Sequence, residues 1–369
     1  MQPFVPEPLP IQNLDWPSLV SILGKANRAV ASFGGILYGI PNPDVLLSPL
    51  TTQEAVLSSR IEGTQADFED VLKFEAGEPV AGESRQADIH EIINYRKALR
   101  RANDLLKDKP FCLNTLLELH DILLKDVRGF DKSPGRFRTS QNWIGPNGTP
   151  IEQAKFIPPS PAILMEHLYA WEKYYHSDEP DPLVQLAIIH AQFEILHPFK
   201  DGNGRIGRMI VPLFLYEKKL LNHPSFYLSA YFDAHLEEYI ARLRALGQPG
   251  SWDAWVNFFL KAIVAQAELN VNCARAIQAL YNRLKKQVLD LTHSQYAVPM
   301  LDRMFERPIN RSSDFIGQSD MPSTPMIMNM LTRFKAAGIL KVMREGAGRR
   351  AQVLAFAELI NLCEGRTVI

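Results

Sequence analysis

The sequence is poor in the features that mark specialised protein classes. Its 369 residues include three cysteines, Cys112, Cys273 and Cys363, which are isolated from one another along the chain. Such a set excludes a disulfide framework and a zinc site and suits a reducing compartment, so we expect three core thiols. The 46% content of hydrophobic residues is typical of a globular protein and excludes a disordered or collagen-like chain.

Long apolar runs and an excess of charge of one sign are missing as well. The longest apolar run, 209–216, is far below the roughly 18 residues that a membrane span requires. The N-terminal MQPFVPEPLP has neither the basic nor the apolar region of a secretory signal. The 40 Lys and Arg balance 41 Asp and Glu, which argues against a dedicated nucleic-acid coat. We therefore expect a cytoplasmic protein that does not associate with membranes.

Helical periodicity dominates the chain and predicts a mainly α protein in three parts. The first, residues 1–110, is a helical region in which Thr51 and Glu54 form a capping-box pattern at the start of a short helix, about 51–63. Gly63 is a natural end for that helix, and 75–84 is expected to be a linker before a helix over 86–106.

The second part, residues 111–288, is predicted to be a helical domain interrupted by one β-hairpin. Strand-like segments flank the turn-forming Gly145-Pro146-Asn147-Gly148, which predicts a hairpin over about 136–159, the alternative being a surface loop. Helices are expected around this segment. Their predicted bounds are 161–175, 182–196, 204–219, 235–246 and 252–287.

The third part, residues 289–369, has the element order of a small winged helix-turn-helix. The pattern predicts helices over 296–306 and 311–317 and a third helix capped by Ser323, followed by strands over 339–344 and 350–356. Between Pro299 and Ala351, nine Lys and Arg face five Asp and Glu, a mild basic excess.

The chemistry of the chain is concentrated in HPFKDGNGRIGR, residues 197–208. An apolar helix delivers His197, and Pro198 ends that helix, so the imidazole is expected at the lip of a turn. Gly202-Asn203-Gly204 then predicts a tight turn whose backbone amides, with the start of a new helix, can bind phosphate. Arg205 and Arg208 follow three residues apart on that helix, and Asp201 offers an oxygen ligand for Mg²⁺. Each feature alone has an ordinary structural explanation, but together they indicate a phosphate-handling site without a P-loop.

This segment resembles the HxFx[DE]GNGRxxR signature of the Fic family at every defined position. The resemblance covers about residues 50–260 and implies a Fic-type helical bundle with a hairpin flap. It implies a protein adenylyltransferase that uses ATP and Mg²⁺ to place AMP on a Ser, Thr or Tyr hydroxyl of a target protein.

The resemblance also implies a role for each residue of the motif. His197 would be the general base, Asp201 would hold Mg²⁺, and Arg205 would stabilise the pyrophosphate. Asn203 and the amides of Gly202 and Gly204 would bind the α- and β-phosphates. Arg208 would orient the γ-phosphate.

A second segment, Ser58-Ser59-Arg60-Ile61-Glu62-Gly63, resembles the family's inhibitory motif [ST]xxxE[GN]. The resemblance implies that Glu62 pairs with Arg208 in the place of the γ-phosphate and holds the enzyme inactive. The alternative is an ordinary helix end with a surface glutamate.

Further roles follow from the same resemblance. Ile144 and Phe156 of the predicted flap are candidates to clamp a target segment, or they simply pack the hairpin. Tyr231 resembles residues that line the adenine pocket, although an aromatic in an apolar run can equally belong to the core. His190 is interpreted as a helix-face histidine with satisfied hydrogen bonds.

The sequence is also compatible with other functions. Related chemistries of the family include removal of AMP and transfer of other phosphate-containing groups. A regulator that binds DNA through its C-terminal domain is a third alternative, although the third helix is poor in basic residues. The sequence does not identify the target protein. Modification of the chain by itself and a homodimer are both open alternatives.

Overall fold

The computed structural model describes residues 2–80, 82–145, 150–348 and 350–369 and is mainly helical, as predicted. It divides into two compact units, each assembled from separate chain segments. The first unit comprises Met1–Gly34, Leu57–Thr64 and His90–Glu268, and the second comprises Gly35–Val56, Gln65–Ile89 and Leu269–Ile369. The three-part domain division read from the sequence stays a prediction.

The helices follow one another with short connections. Those before the signature segment are α1 (Trp16–Tyr38), α2 (Pro43–Leu46), α3 (Ser48–Ile61), α4 (Phe68–Glu75), α5 (Glu83–Leu106), α6 (Leu113–Leu123), α7 (Pro161–His176) and α8 (Pro182–Leu196). Those after it are α9 (Asn203–Glu217), α10 (Ser229–Ala234), α11 (Leu236–Ala245), α12 (Ser251–Thr292), α13 (Ala297–Glu306), α14 (Thr324–Ala336) and α15 (Ala357–Glu364).

Helix α8 is the core of the first unit. Thirteen of its fifteen residues are buried, because its sequence is apolar on every side rather than along one stripe. Asp181 caps its start by accepting a hydrogen bond from the Leu183 N–H at 2.8 Å, and Pro182 opens the first turn. Helices α7 and α9 pack against α8, so the residues that follow its last turn are held inside the unit.

The predicted start of the short helix that ends near Gly63 is wrong. Helix α3 begins at Ser48, not at Thr51, and Thr51 lies inside it with its hydroxyl directed at the Leu47 carbonyl oxygen, 3.4 Å away. Pro49 near the start of the helix is the stronger signal, because proline is preorganised for the first turn. The predicted end, at Gly63, is close to the observed end at Ile61.

The second unit contains a three-stranded antiparallel sheet of order β1-β3-β2, with β1 (Ile309–Arg311), β2 (Lys341–Arg344) and β3 (Val353–Ala355). The sequence predicted β2 and β3 but not β1. It assigned 311–317 to a helix, where the structure has the end of β1 and a single 3₁₀ turn, Ser312–Phe315. Helix α15 was not predicted. The winged helix-turn-helix assignment and DNA binding stay predictions.

The segment predicted as a β-hairpin contains very little sheet among its described residues. Ile144 and Phe156 form an isolated antiparallel bridge, with the Ile144 N–H donating to the Phe156 carbonyl at 2.8 Å. A 3₁₀ turn, Ile151–Gln153, follows where a second strand was expected to begin. Of the predicted turn, residues 146–148 lie outside the described residues. In place of the two predicted strands, the described residues of this segment contain a single bridged residue pair, Ile144 and Phe156.

The expectation of three core thiols is correct only for Cys363, which is buried, because Cys112 and Cys273 are half-buried. Through the described ranges, the structure contains no helix with both the length and the apolar composition needed to span a bilayer.

Candidate active site

The loop between α8 and α9 begins with His197, the residue that caps the end of α8. His197 adopts a left-handed conformation with φ 44°, which turns the chain out of α8 immediately before Pro198. A non-glycine residue is strained in this conformation and needs support from its surroundings. That support comes from the buried Arg138, whose Nε donates to the His197 carbonyl at 2.9 Å and whose Nη2 donates to the Leu196 carbonyl at 3.2 Å. The guanidinium thus satisfies carbonyls that the helix end leaves open.

A second support holds the middle of the same loop. The ring of His120, from α6, stacks on Phe199 with 3.8 Å between centroids and 9° between planes. Its Nδ1 accepts a hydrogen bond from the Gly135 N–H, so the proton is on Nε2, which lies 3.0 Å from the Asp201 carbonyl oxygen. Burial lowers the pKa of His120 to about 4, and the ring is a neutral structural clamp.

Asn203 closes the loop on itself. Its side-chain oxygen accepts from the Phe199 N–H at 2.8 Å, and its amide nitrogen donates to the Phe199 carbonyl at 2.9 Å. The side chain is buried in the loop interior. The phosphate-binding role predicted for Asn203 therefore depends, in this conformation, on its backbone N–H at the start of α9. Gly202 precedes it with φ 78°, a conformation that favours glycine.

Arg205 and Arg208 lie on the same helix but have different partners. The Nη1 of Arg205 donates to Glu91 on α5 at 2.9 Å, and both side chains are only 1% exposed. Its Nη2 lies 3.5 Å from the Asp201 carboxylate. Arg128 approaches Glu91 from the solvent side at 3.2 Å. Glu91 was not identified from the sequence, because it lies more than a hundred residues before its partner.

Arg208 is held by the segment that resembles the inhibitory motif. Its Nη2 donates to the Glu62 carboxylate at 2.7 Å and to the Ser58 carbonyl at 2.8 Å, and its Nε donates to the Ser58 hydroxyl at 2.8 Å. The absence of a side chain at Gly204 makes this approach possible, since a Cβ there would overlap Glu62 and Arg208. Ser58 is the first residue of the matched motif, although its contact could not be read from it.

The charges of this pair reinforce one another. Burial by itself would raise the pKa of Glu62, but the charge and hydrogen bond of Arg208 outweigh it and the net pKa lies below the usual range. For Arg208, burial would lower the pKa, and Glu62 is the largest of the influences that raise it well above its usual value. Glu62 is therefore an anion and Arg208 a cation at neutral pH.

Three of the motif residues, His197, Gly204 and Arg208, line a cavity of about 230 Å³ in the first unit. The lining does not include Asp201, Gly202, Asn203 or Arg205. The lining includes the polar groups Glu62, Glu194, His197 and Arg208, and α11 contributes apolar side chains such as Leu236 and Ile240. Ile144 and Phe156 also line it, whereas their clamping of a target segment stays a prediction. Burial lowers the pKa of His197 to about 4, with the Glu194 backbone and the Glu62 carboxylate raising it in part. A neutral imidazole facing a cavity can accept a proton.

The predictions for His190 and Tyr231 have different outcomes. His190 is buried with both ring nitrogens in contact, Nδ1 with the Gly207 carbonyl at 3.0 Å and Nε2 with the Tyr239 hydroxyl at 2.9 Å, as interpreted from the sequence. Tyr231 stacks on His235 with 4.0 Å between ring centroids and is not among the residues that line the cavity, where Tyr239 lies instead. A role for Tyr231 in adenine binding stays a prediction.

The residues present are compatible with a magnesium ion bound together with a nucleotide. The Asp201 side chain is 36% exposed at the mouth of the loop, and no cluster of three or more possible metal ligands occurs in the described ranges. Mg²⁺ characteristically uses one or two carboxylates and completes its shell with water and phosphate oxygens. A single carboxylate beside the turn that is predicted to bind phosphate fits that requirement.

Two family profiles match the part of the chain that carries the candidate site. The sequence profile described as Fic/DOC family N-terminal matches residues 20–104, and the profile described as Fic/DOC family matches residues 110–215, together more than half of the chain. The chain belongs to the Fic/DOC family. Both the loop with His197 and the segment with Glu62 lie inside the matched regions.

Curated relatives are named protein adenylyltransferases. The chain is 30% identical over 148 residues to protein adenylyltransferase fic-1 of Caenorhabditis elegans, which is 38% of this chain and 27% of that protein. It is 31% identical over 141 residues to protein adenylyltransferase Fic of Drosophila virilis, 37% of this chain and 27% of that protein. A probable protein adenylyltransferase of Aquifex aeolicus is 28% identical over 183 residues, 48% of this chain and 51% of that protein. The matches span about a quarter to a half of these relatives.

Solved structures share the fold. A Fic family protein of Desulfovibrio desulfuricans has a TM-score of 0.57 at 19% identity, with 96% of this chain and 98% of that chain covered. The structure of Fic-1 of C. elegans has a TM-score of 0.53 at 21% identity, with 72% of this chain and 75% of that chain covered.

Proposed function

We propose that the chain transfers AMP from ATP to a hydroxyl group of a protein, and that Glu62 restrains this activity by occupying Arg208. The observation that carries the proposal is the cavity that His197, Gly204 and Arg208 line together, with the Glu62 carboxylate 2.7 Å from Arg208. The adenylyltransferase names of the relatives support the same activity.

Each residue of the loop has a defined part in the proposed reaction. The acceptor hydroxyl gives its proton to His197 while its oxygen bonds to the α-phosphorus of ATP, and the bond from that phosphorus to the pyrophosphate oxygen breaks. The backbone amides at Gly202–Gly204 and the guanidinium of Arg205 stabilise the charge that develops on the pyrophosphate. The products are the AMP-ester of the protein, pyrophosphate and a proton.

Magnesium would be held by Asp201 and by the nucleotide phosphates. When bound, it would neutralise part of the charge on the phosphates. Asp201 is prepared for this task because the Gly202 N–H donates to its Oδ1 at 2.6 Å and Arg205 lies beside it.

The restraint follows from competition for one guanidinium. Arg208 is the group that would orient the γ-phosphate, and Glu62 already satisfies it together with Ser58. A nucleotide that enters while Glu62 is in place cannot bring its triphosphate tail to Arg208, so its α-phosphate is not aligned with the acceptor hydroxyl.

The test measures incorporation from ATP labelled at the α-phosphate, with Mg²⁺ and a protein extract as acceptor, and intact mass for self-modification. Glu62→Gly is expected to raise incorporation at least tenfold over the wild type, and His197→Ala in the same background to abolish it. Arg60→Ala is the matched control. Arg60 lies in the same segment as Glu62, but it forms its ion pair with Asp233 rather than contacting Arg208. Equal labelling of the wild type and Glu62→Gly would refute the restraint. Incorporation only from the γ-phosphate would indicate phosphate transfer instead, and loss of label from a modified protein would indicate AMP removal.

A further inference from the structure

A second carboxylate, that of Glu194, lies in the cavity beside Arg208. Glu194 is one turn before His197 on α8 and is one of the two residues of that helix that are not fully buried. Its Oε1 is nevertheless inaccessible to solvent and has no hydrogen-bond partner in the described part of the chain. It lies against the backbone of α9 where a side chain at position 207 would otherwise be, which Gly207 permits.

A buried carboxylate oxygen without a donor is costly when it is charged. Burial raises the pKa of Glu194 to about 7; Arg208 lowers it and Glu62 raises it in addition. The side chain is therefore divided between its neutral and its charged form near neutral pH. Glu62 and Glu194 compete for the same cation, and the charge of each disfavours the charge of the other.

We infer that Glu194 makes the Glu62 restraint dependent on protons: neutral Glu194 tolerates Glu62 on Arg208, and ionised Glu194 weakens that pairing and takes Arg208 as its own partner. This inference rests on the proposed function, since the restraint it controls is the one proposed above. It assigns Glu194 as a positioning residue of Arg208.

The other charged and titratable groups facing Glu194 do not titrate in the same range. From the end of α3, Glu62 has a lowered pKa, and from α9, Arg208 has a raised pKa. From α11, burial raises the pKa of Tyr239 well above 10, and the guanidinium of Arg244 lines the same cavity. On α8 itself, burial lowers the pKa of His190 to about 3 and that of His197 at its end to about 4. A change between pH 6 and 8 is thus specific to Glu194 among these groups.

The direction follows from linkage. Removing Glu62 removes a like charge and frees Arg208, so the pKa of Glu194 falls when Glu62 leaves. Reciprocally, ionisation of Glu194 as pH rises favours the departure of Glu62. The restraint should be strong at pH 6 and weak at pH 8, and a difference of one pKa unit between the two states corresponds to a tenfold change in the restraint.

The first arm of the experiment compares AMP incorporation by the Glu62→Gly variant and the wild type from pH 6 to 8. Their activity ratio cancels the pH dependence of the chemistry itself and is expected to fall about tenfold as pH rises. In a Glu194→Gln background the same ratio should be constant, whereas the exposed Glu166→Gln on α7 should leave the pH dependence intact. The inference would be overturned if this ratio were constant with pH when Glu194 is present. It would also be overturned if the ratio still varied with pH in the Glu194→Gln background.

The second arm needs no enzymatic activity. An infrared titration of the wild-type chain should show a protonated carboxyl band that disappears with a midpoint near pH 7, and that midpoint should be lower in Glu62→Gly. Glu194→Gln assigns the band by its absence; if that variant does not fold, the difference between wild type and Glu62→Gly still decides. An unshifted midpoint refutes the coupling even in an active enzyme. A shifted midpoint without any AMP transfer retains the coupling and refutes the proposed function.

Discussion

His120 and Phe199 stack face to face, 3.8 Å apart, although 79 positions separate them in the sequence. The stack joins α6 to the middle of the loop that carries His197, and the two nitrogens of the imidazole fix the Gly135 and Asp201 backbone. The loop is thus held from outside the signature segment, by a residue whose ring is neutral at neutral pH.

The first prediction concerns stability in mild acid. The folded state holds the pKa of His120 at about 4, whereas an exposed histidine titrates near 6.5, so the unfolded chain gains a proton first as pH falls. The stabilisation is complete above pH 6.5 and is lost between about pH 6.5 and 4, by about 3 kcal/mol for this residue. Urea unfolding at pH 7, 6 and 5 should show a shallower pH dependence in His120→Gln than in the wild type. Parallel pH profiles for the two proteins would contradict it. Some slope should remain, because His190 and His197 have lowered pKa values too.

The second prediction uses two adjacent serines. Ser58 accepts a hydrogen bond from Arg208, whereas the buried Ser59 hydroxyl has no hydrogen-bond partner among the described residues. Ser58→Ala removes one of the contacts that hold Arg208 toward Glu62, so AMP incorporation should rise severalfold, less than in Glu62→Gly. Ser59→Ala is the matched control and should leave the rate near that of the wild type. Activation of equal size in both variants would show that the effect is general loosening of α3.

The third prediction concerns Glu91 as the support of Arg205. Because both side chains are 1% exposed, Glu91→Ala leaves a buried guanidinium without its main counter-charge and should lower the free energy of unfolding by about 3–5 kcal/mol. Glu118→Ala breaks an ion pair with Arg101 that is exposed on both sides and should cost less than about 1 kcal/mol. Denaturant titrations of the two variants check this, and similar losses in both would refute a special role for Glu91.

The fourth prediction separates the two functions of Asn203. Asn203→Asp keeps an acceptor for the Phe199 N–H but places an oxygen against the Phe199 carbonyl, and Asn203→Ala removes both bonds. Each change should lower kcat/KM for ATP at least tenfold in the Glu62→Gly background. Faster hydrogen exchange of the Phe199 amide is the accompanying structural readout. Reduced activity with unchanged exchange would mean that Asn203 acts on the nucleotide rather than on the loop.

The helical character of the chain and the turn in the loop of the candidate site could be predicted from the sequence. Pro198 forced the end of α8, and Gly202 with its positive φ allowed the turn into α9, because both effects are local backbone constraints. The predicted start of α3 was wrong because two start signals, the capping-box pattern at Thr51 and the proline at position 49, lie within a few residues of each other. Strand β1 was missed because three residues carry too little periodicity to be recognised.

The amino-acid sequence by itself determined which groups are available for phosphate chemistry and the local turn that presents them, since these depend on neighbours a few residues apart. Only the tertiary structure decided which partner each group has. Arg205 and Arg208 are equivalent in the motif, yet one is bound by Glu91 and the other by Glu62 and Ser58. Charge pairing across more than a hundred residues depends on how helices pack, and packing is set by the summed burial of many apolar side chains rather than by any local pattern.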